Sequence, residues 1–125
     1  MRAAAVAGGL GATVGLIAAG AAAGPADVLG AVAECDAATC TFTATVRHAD
    51  TGWDHYANRF EVVAPDGTIL ATRVLAHPHV REQPVTRSLP GVKIPEGIER
   101  VRIRAGDSVH GLGGAEILVR IERRE

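Results

Sequence analysis

The chain has 125 residues, with 13 basic and 14 acidic side chains and a formal net charge of −1, and this length predicts a single domain. Without Arg2 the balance is 12 bases against 14 acids, a net charge of −2. Such a balance lacks the basic surface that nucleic-acid binding requires, so we expect no nucleic-acid partner.

The first 23 residues have the composition of a secretory signal peptide. Arg2 is followed by a run of Ala, Gly, Val, Leu and Ile that is interrupted only by Thr13 and ends in three alanines. A positive start, an apolar middle and small residues before the cleavage site are typical of such signals. We predict cleavage after Ala23, or alternatively after Ala26, and a mature domain over residues 24–125. An uncleaved anchor is a second interpretation, because the run is just long enough to span a bilayer.

Export to the periplasm or the medium favours disulfide formation. The two cysteines, Cys35 and Cys40, flank a four-residue turn, and cysteines in an exported domain usually pair. A thiolate metal site is the alternative, which an oxidising compartment disfavours. The sequence therefore predicts a Cys35–Cys40 disulfide and, after signal cleavage, no stable membrane span.

The mature part predicts short β-strands. Apolar residues alternate with polar ones, most clearly over residues 40–48 and 99–105, and Gly and Pro separate the runs. Period-two alternation is typical of a sheet with one buried face. Strands are predicted at residues 28–35, 40–48, 56–64, 68–76, 85–94, 99–105 and 115–122.

Seven strands at regular intervals favour an all-β fold, a seven-stranded antiparallel β-sandwich. The segment over residues 95–105, with its Pro-Glu-Gly turn and alternating Val-Arg-Ile-Arg-Ala strand, resembles the end of a fibronectin type III domain. This resemblance implies an immunoglobulin- or fibronectin III-like topology. The motifs GWDHYA (residues 52–57) and HPHVREQP (residues 77–84) resemble features of small bacterial exported proteins, and that resemblance implies no activity.

Successive connections in an antiparallel sandwich alternate between its two ends. The loops over residues 49–55, 77–84 and 107–114 therefore meet at one end, and longer loops of this kind often carry binding residues. We call this end the histidine pole, because it collects all five histidines of the chain. They are His48, His55, His77, His79 and His110.

The histidine pole favours a metal site. Pro78 holds His77 in an extended conformation, so the imidazoles of His77 and His79 can leave the chain on the same side. A third histidine, or a carboxylate from Asp54, Glu82 or Asp107, would complete a set that suits Zn(II), Cu(II) or Ni(II), and we expect Cu(II) or Zn(II). The sequence predicts that the metal ligands come from the following residues: His77, His79, His55, His48, His110 and Glu82.

Two other interpretations stay open. The polar side chains can cross-link the loops by hydrogen bonds, or form a surface that binds an envelope protein or another ligand. A catalytic triad can be drawn from Ser108 and His110, or from Ser88, His77 and Asp54, but no nucleophile motif supports it. We therefore expect a binding or structural module and not an enzyme.

Overall fold

Seven strands form where the alternating pattern predicts them. The computed structural model describes residues 24–123, so the predicted signal peptide lies outside the described residues. Each strand agrees with its predicted range to within two residues at either end. The strands are β1 (Asp27–Cys35), β2 (Cys40–Arg47), β3 (Ala57–Val63), β4 (Ile69–Val74), β5 (Val85–Val92), β6 (Arg100–Asp107) and β7 (Ile117–Arg120).

The strands form two sheets, and every neighbouring pair is antiparallel. One sheet has the order β1-β2-β5 and the other has the order β4-β3-β6-β7. The prediction of an all-β, seven-stranded antiparallel fold is therefore confirmed. Within residues 24–123 there is no helix long and apolar enough to cross a membrane.

The core lies between the sheets and is built from the alternating apolar positions. Phe42 of β2, Phe60 of β3 and Ile103 of β6 are fully buried. Burying a side chain of this size stabilises the fold by roughly 1.5–3 kcal/mol relative to leaving it exposed. The threonines of β2 point outward, where Thr43 and Thr45 pair with hydroxyls on β5 at 2.8 Å.

Pro90 lies in β5 and is compatible with the position of that strand at a sheet edge. Pro90 has no backbone N–H to donate to a ladder, so it is tolerated at an edge or a bulge. β5 is one of the two edge strands of the smaller sheet, and its register with β2 shifts between Cys40 and Phe42. β5 therefore has both features that accommodate a proline, a position at a sheet edge and an irregular register.

The outer face of the larger sheet contains a buried ion-pair group. Glu61 of β3 is buried, because Arg59 and Arg104 close over it with N–O distances of 2.9 and 2.7 Å. Gly106 leaves room for the Arg59 guanidinium, which a side chain at that position would strike. Local alternation places Glu61 on the outer face, but only its neighbours across the sheet bury it.

The two ends of the sandwich carry different connections. At one end, the predicted disulfide is confirmed: Cys35 and Cys40 are bonded and join the ends of β1 and β2. Asp36 caps the enclosed turn by accepting the amides of Ala38 and Thr39, each at 2.8 Å. The opposite end is the histidine pole, which receives the chain after β2, β4 and β6.

Candidate metal centre

Three separate segments supply the groups that meet at the histidine pole. His48 directly follows β2 and is buried. His55 closes a tight turn in which its amide donates to the Gly52 carbonyl at 3.2 Å and its carbonyl accepts the Thr51 amide at 3.0 Å. Asp107 is the last residue of β6 and is also buried. Each side chain thus leaves the end of a strand or a hydrogen-bonded turn, so its position is well defined.

The ligand atoms of these three residues converge on one point. His48 Nε2 lies 3.2 Å from Asp107 Oδ2 and 3.3 Å from His55 Nε2. His55 Nε2 lies 3.6 Å from the same Asp107 oxygen. The three atoms therefore form a nearly equilateral triangle of two imidazole nitrogens and one carboxylate oxygen, which is a group able to hold a metal ion.

Asp107 is held as a carboxylate. Its Oδ1 accepts the backbone amides of Val109 and His110, and its Oδ2 lies 3.0 Å from His110 Nδ1. Burial opposes ionisation, but these hydrogen bonds from His110 and Val109 outweigh it and lower the pKa of Asp107 to about 2. A negative charge consequently stands among imidazole nitrogens in a nearly dry environment.

Asp50 determines which nitrogen of His48 faces this charge. His48 Nδ1 lies 2.6 Å from Asp50 Oδ1, and an ionised carboxylate can only accept, so Nδ1 carries a proton and donates it. In neutral His48 the Nε2 then bears a lone pair, 3.2 Å from the lone pairs of Asp107 Oδ2. Two acceptors at this distance repel unless a proton or a metal cation lies between them.

His110 lies at the rim of the centre. Its ring centroid is 5.0 Å from that of His55, and its side chain is 37% exposed. Its backbone amide donates to Asp107 Oδ1, and its ring Nδ1 lies within hydrogen-bond distance of Asp107 Oδ2. It thus borders the ligand triangle from the solvent side.

His77 and His79 form a second group at the same end. Their rings lie against each other with centroids 4.5 Å apart and a tilt of 35°. His79 Nε2 accepts the Arg87 guanidinium at 3.1 Å, and burial, together with the positive charges of His77 and Arg87, lowers the pKa of His79. Glu82 lies 3.8 Å from Arg87 and is mostly exposed. Within residues 24–123, neither histidine joins a group of three potential ligands as close as the triangle.

The structure therefore sorts the predicted ligands into groups. His48 and His55 lie in the triangle, and His110 lies at its rim. His79 and Glu82 lie beside Arg87, and the His77 ring lies against the His79 ring. Asp107 is one of the carboxylates that the sequence offers as a completing ligand. The role of Asp50 is not predicted, although its position two residues after His48 is the signal that would have indicated it.

The triangle can act as a three-ligand metal site with a fourth position open to water or another ligand. Sites of this type bind an incoming group as well as the ion. Three surface cavities, of about 280, 280 and 380 Å³, are lined by residues that include Val63, Glu99 and Glu34. These cavities lie away from the triangle, so they provide no substrate cleft for it.

Comparison with known proteins gives a limited match. The chain is similar to a protein of Halomicrobium mukohataei named "Putative lipoprotein", with 38% identity over 81 residues. The match covers 65% of this chain and 39% of that protein, so the chain spans well under half of the relative's length. No protein-family model and no solved structure matches the chain significantly.

Proposed function

We propose that this protein is an exported binding module of the cell envelope that holds a divalent transition metal ion at His48, His55 and Asp107. The observation that carries the proposal is the triangle of ligand atoms, with sides of 3.2, 3.3 and 3.6 Å. A cation at its centre removes the repulsion between the carboxylate and the lone pair of His48. The ion would join His48 and His55, which are seven residues apart, to Asp107 in a distant part of the chain.

The spacing favours zinc over copper. Zinc–ligand bonds of about 2.0–2.2 Å in a tetrahedral site place ligand atoms about 3.3–3.6 Å apart. A square-planar Cu(II) site with bonds of about 2.0 Å would instead need adjacent ligands about 2.8 Å apart. Two imidazoles and one carboxylate also form a donor set that Zn(II) accepts in proteins.

A metal-free module is the second candidate. His48 reaches a carboxylate with each ring nitrogen, Asp50 at 2.6 Å and Asp107 at 3.2 Å. A proton on Nε2 would therefore also relieve the repulsion and make His48 a buried ionic cross-link. In that case the histidine pole is a structural network, or a surface that binds a protein partner through its exposed residues.

The sheet topology, the disulfide and the similar protein support our proposals on fold type and cellular location. The strand orders β1-β2-β5 and β4-β3-β6-β7 support our proposal of a fibronectin III-like sandwich, the topology that the sequence resemblance implies. The disulfide and the similarity to a "Putative lipoprotein" support export to the envelope. We propose a signal peptide at residues 1–23 and periplasmic or secreted location on this basis.

Metal content and affinity test the function directly. The exported protein, purified without a histidine tag, should contain one zinc ion per chain. Loss of a residue that supports a ligand weakens binding roughly 10- to 100-fold, and replacing a ligand itself should weaken zinc binding by more. We choose His55→Ala, because His55 is partly exposed and its loss should disturb the fold less than loss of a buried ligand. Calorimetry measures both proteins under the same conditions.

His77→Ala is the matched control, since His77 is an exposed histidine of the same pole. It should bind zinc as the unmodified protein does. The double change His77→Ala with His79→Ala tests the ligand pair predicted from the sequence. If the double variant loses zinc binding while His55→Ala binds normally, the metal site is at His77 and His79. If the wild type binds no zinc, the metal-free module is the correct function.

A further inference from the structure

Asp50 connects the candidate metal centre with the polar loop over residues 77–84. We propose that Asp50 is a positioning residue that holds His48 in the ring orientation and tautomer that a metal ion requires. This inference rests on the proposed metal-binding function. It gives Asp50 no direct contact with the ion.

Both carboxylate oxygens of Asp50 are fixed by hydrogen bonds. Oδ1 accepts the ring N–H of His48 at 2.6 Å and the amide of Ala57 at 3.0 Å. Oδ2 accepts the amide of His79 at 2.7 Å. The side chain of Asp50 is 1% exposed, so water does not compete for these bonds. The carboxylate is held from three segments of the chain and therefore holds the His48 ring in one orientation.

The hydrogen bond also selects the chemical form of His48. An imidazole ligates through the nitrogen that carries no proton, and a carboxylate that accepts the other N–H fixes this tautomer and raises the basicity of the ligating nitrogen. With the proton on Nδ1, the lone pair stands on Nε2, the atom that faces His55 and Asp107. Without Asp50, neutral His48 is free to carry its proton on Nε2, and that form cannot bind the ion.

Gln83 also connects His48 with His79, but it does not contact the His48 ring. Its Oε1 accepts the His48 amide and its Nε2 donates to the His79 carbonyl, each at 3.0 Å. Asp50 and Gln83 thus join the same two residues, but Gln83 contacts only their backbones. The loop over residues 77–84 is consequently attached to the backbone and the ring of His48 through Gln83 and Asp50. A variant at Gln83 therefore separates the effect of attaching the loop from the effect of positioning the ring.

Zinc affinities of three variants test this role. Asn has nearly the shape of Asp but has only one acceptor oxygen, so Asp50→Asn cannot accept both the His48 ring N–H and the His79 amide. We expect the exported, untagged full chain with Asp50→Asn to bind zinc 10- to 100-fold more weakly in competition with a chromophoric chelator. Gln83→Ala should lose less zinc affinity than Asp50→Asn, because Gln83 does not contact the His48 ring. Asp66→Asn, which removes an exposed turn carboxylate remote from the triangle, should not change the affinity.

Nitrogen-15 NMR of the zinc-loaded wild type gives a readout that a purely structural role would not move. His48 should carry its proton on Nδ1 and the metal on Nε2, and Asp50→Asn should lose the protection of that Nδ1 proton from exchange. A wild-type His48 with the proton on Nε2 would overturn the inference even if the variant failed to fold.

The outcomes separate this inference from the proposed function. Wild-type protein that binds no zinc rejects both. Zinc binding by the wild type with an unaffected Asp50→Asn variant rejects only the role of Asp50. Equal weakening in Asp50→Asn and Gln83→Ala also rejects it, since anchoring of the loop would then account for the effect.

Discussion

Three buried carboxylates take different roles in this protein according to the residues around them. Asp50, Asp107 and Glu61 are each almost fully removed from water, a position that carboxylates rarely occupy unless they are paired. Asp50 and Asp107 are partnered by histidines and backbone amides, whereas Glu61 is partnered by two arginines. At the residue scale, therefore, the same side-chain chemistry supports a candidate site at one place and a sheet face at another.

Replacing Glu61 by Gln should destabilise the protein by about 2 kcal/mol at pH 7, a typical magnitude for hydrogen bonds to charged groups. Burial disfavours the ionised form of Glu61, but Arg59 and Arg104 outweigh it and lower its pKa. The folded state thus binds this proton less readily than the unfolded chain, and the stabilisation is complete at neutral pH. It is lost as the pH falls below about 4, where the unfolded chain takes up the proton first. Chemical denaturation of both proteins at pH 7 and pH 3 measures the difference, which should shrink at the lower pH.

Glu116→Gln is the control for this prediction. Glu116 pairs with Arg102 at 3.2 Å but is about one-third exposed, and exposed ion pairs contribute at most about 1 kcal/mol. A destabilisation by Glu116→Gln as large as that by Glu61→Gln would show that burial does not set the strength of these pairs.

At the scale of elements, the strands carry the stability and their connections carry the polar groups. β3 and β6 form the centre of the larger sheet, and β2 forms the centre of the smaller one. Their inward side chains fill the core, while the loops that follow β2, β4 and β6 hold the histidines. Changes in the strands and changes in the loops should therefore differ in their cost.

Ile103→Ala should cost about 2–5 kcal/mol, because it empties space at the centre of the core. Ile103 is fully buried between two neighbouring strands. His79→Ala should cost less, because His79 lies in a loop where its ring bonds a partly exposed arginine. Thermal melts of the two variants measure these losses of stability. A larger loss for His79→Ala would show that the histidine pole stabilises the fold more than this part of the core does.

The disulfide should contribute about 2 kcal/mol by the chain-entropy estimate for so short a loop. Cys35 and Cys40 are both buried and belong to the core cluster, so replacing both by Ala removes the bond with little change in polarity. Denaturant unfolding of the oxidised protein and of this double variant measures the contribution. Titration of the denatured, unreduced wild type should find no free thiol, and two thiols would contradict the bond.

At the scale of the whole molecule, the candidate centre joins parts of the chain that folding alone brings together. His48, His55 and Asp107 follow β2, precede β3 and end β6, and these strands belong to both sheets. A ligand that binds the folded state but not the unfolded chain stabilises the fold. The proposed metal should thus link the two sheets at the histidine pole.

Zinc at 100 times its dissociation constant should stabilise the protein by about 2.7 kcal/mol, which a thermal melt detects as a higher Tm. A chelator should remove the increase. His55→Ala should melt at the same temperature with and without zinc, whereas His77→Ala should retain the zinc-dependent increase. An equal zinc effect on both variants would place the binding outside the triangle.

The sequence by itself determined the strands, the disulfide and the end at which the histidines collect. These features depend on local chemistry: period-two alternation as in Phe42, Ala44 and Val46, turn residues such as Pro65 and Gly67, and two cysteines on either side of one turn. Alternating connections then place all the histidine loops at one end without knowledge of side-chain geometry.

Only the tertiary structure decided which histidines meet. Spacing along the chain favours the neighbours His77 and His79, yet the triangle joins His48 and His55 to Asp107, more than 50 residues away in sequence. Distances of 3.2–3.6 Å between ligand atoms depend on the register of β3 with β6 and on the turn that presents His55. The burial of Glu61 and the support of His48 by Asp50 likewise arise from partners across the fold, because burial and electrostatic pairing are properties of packed neighbours and not of sequence spacing.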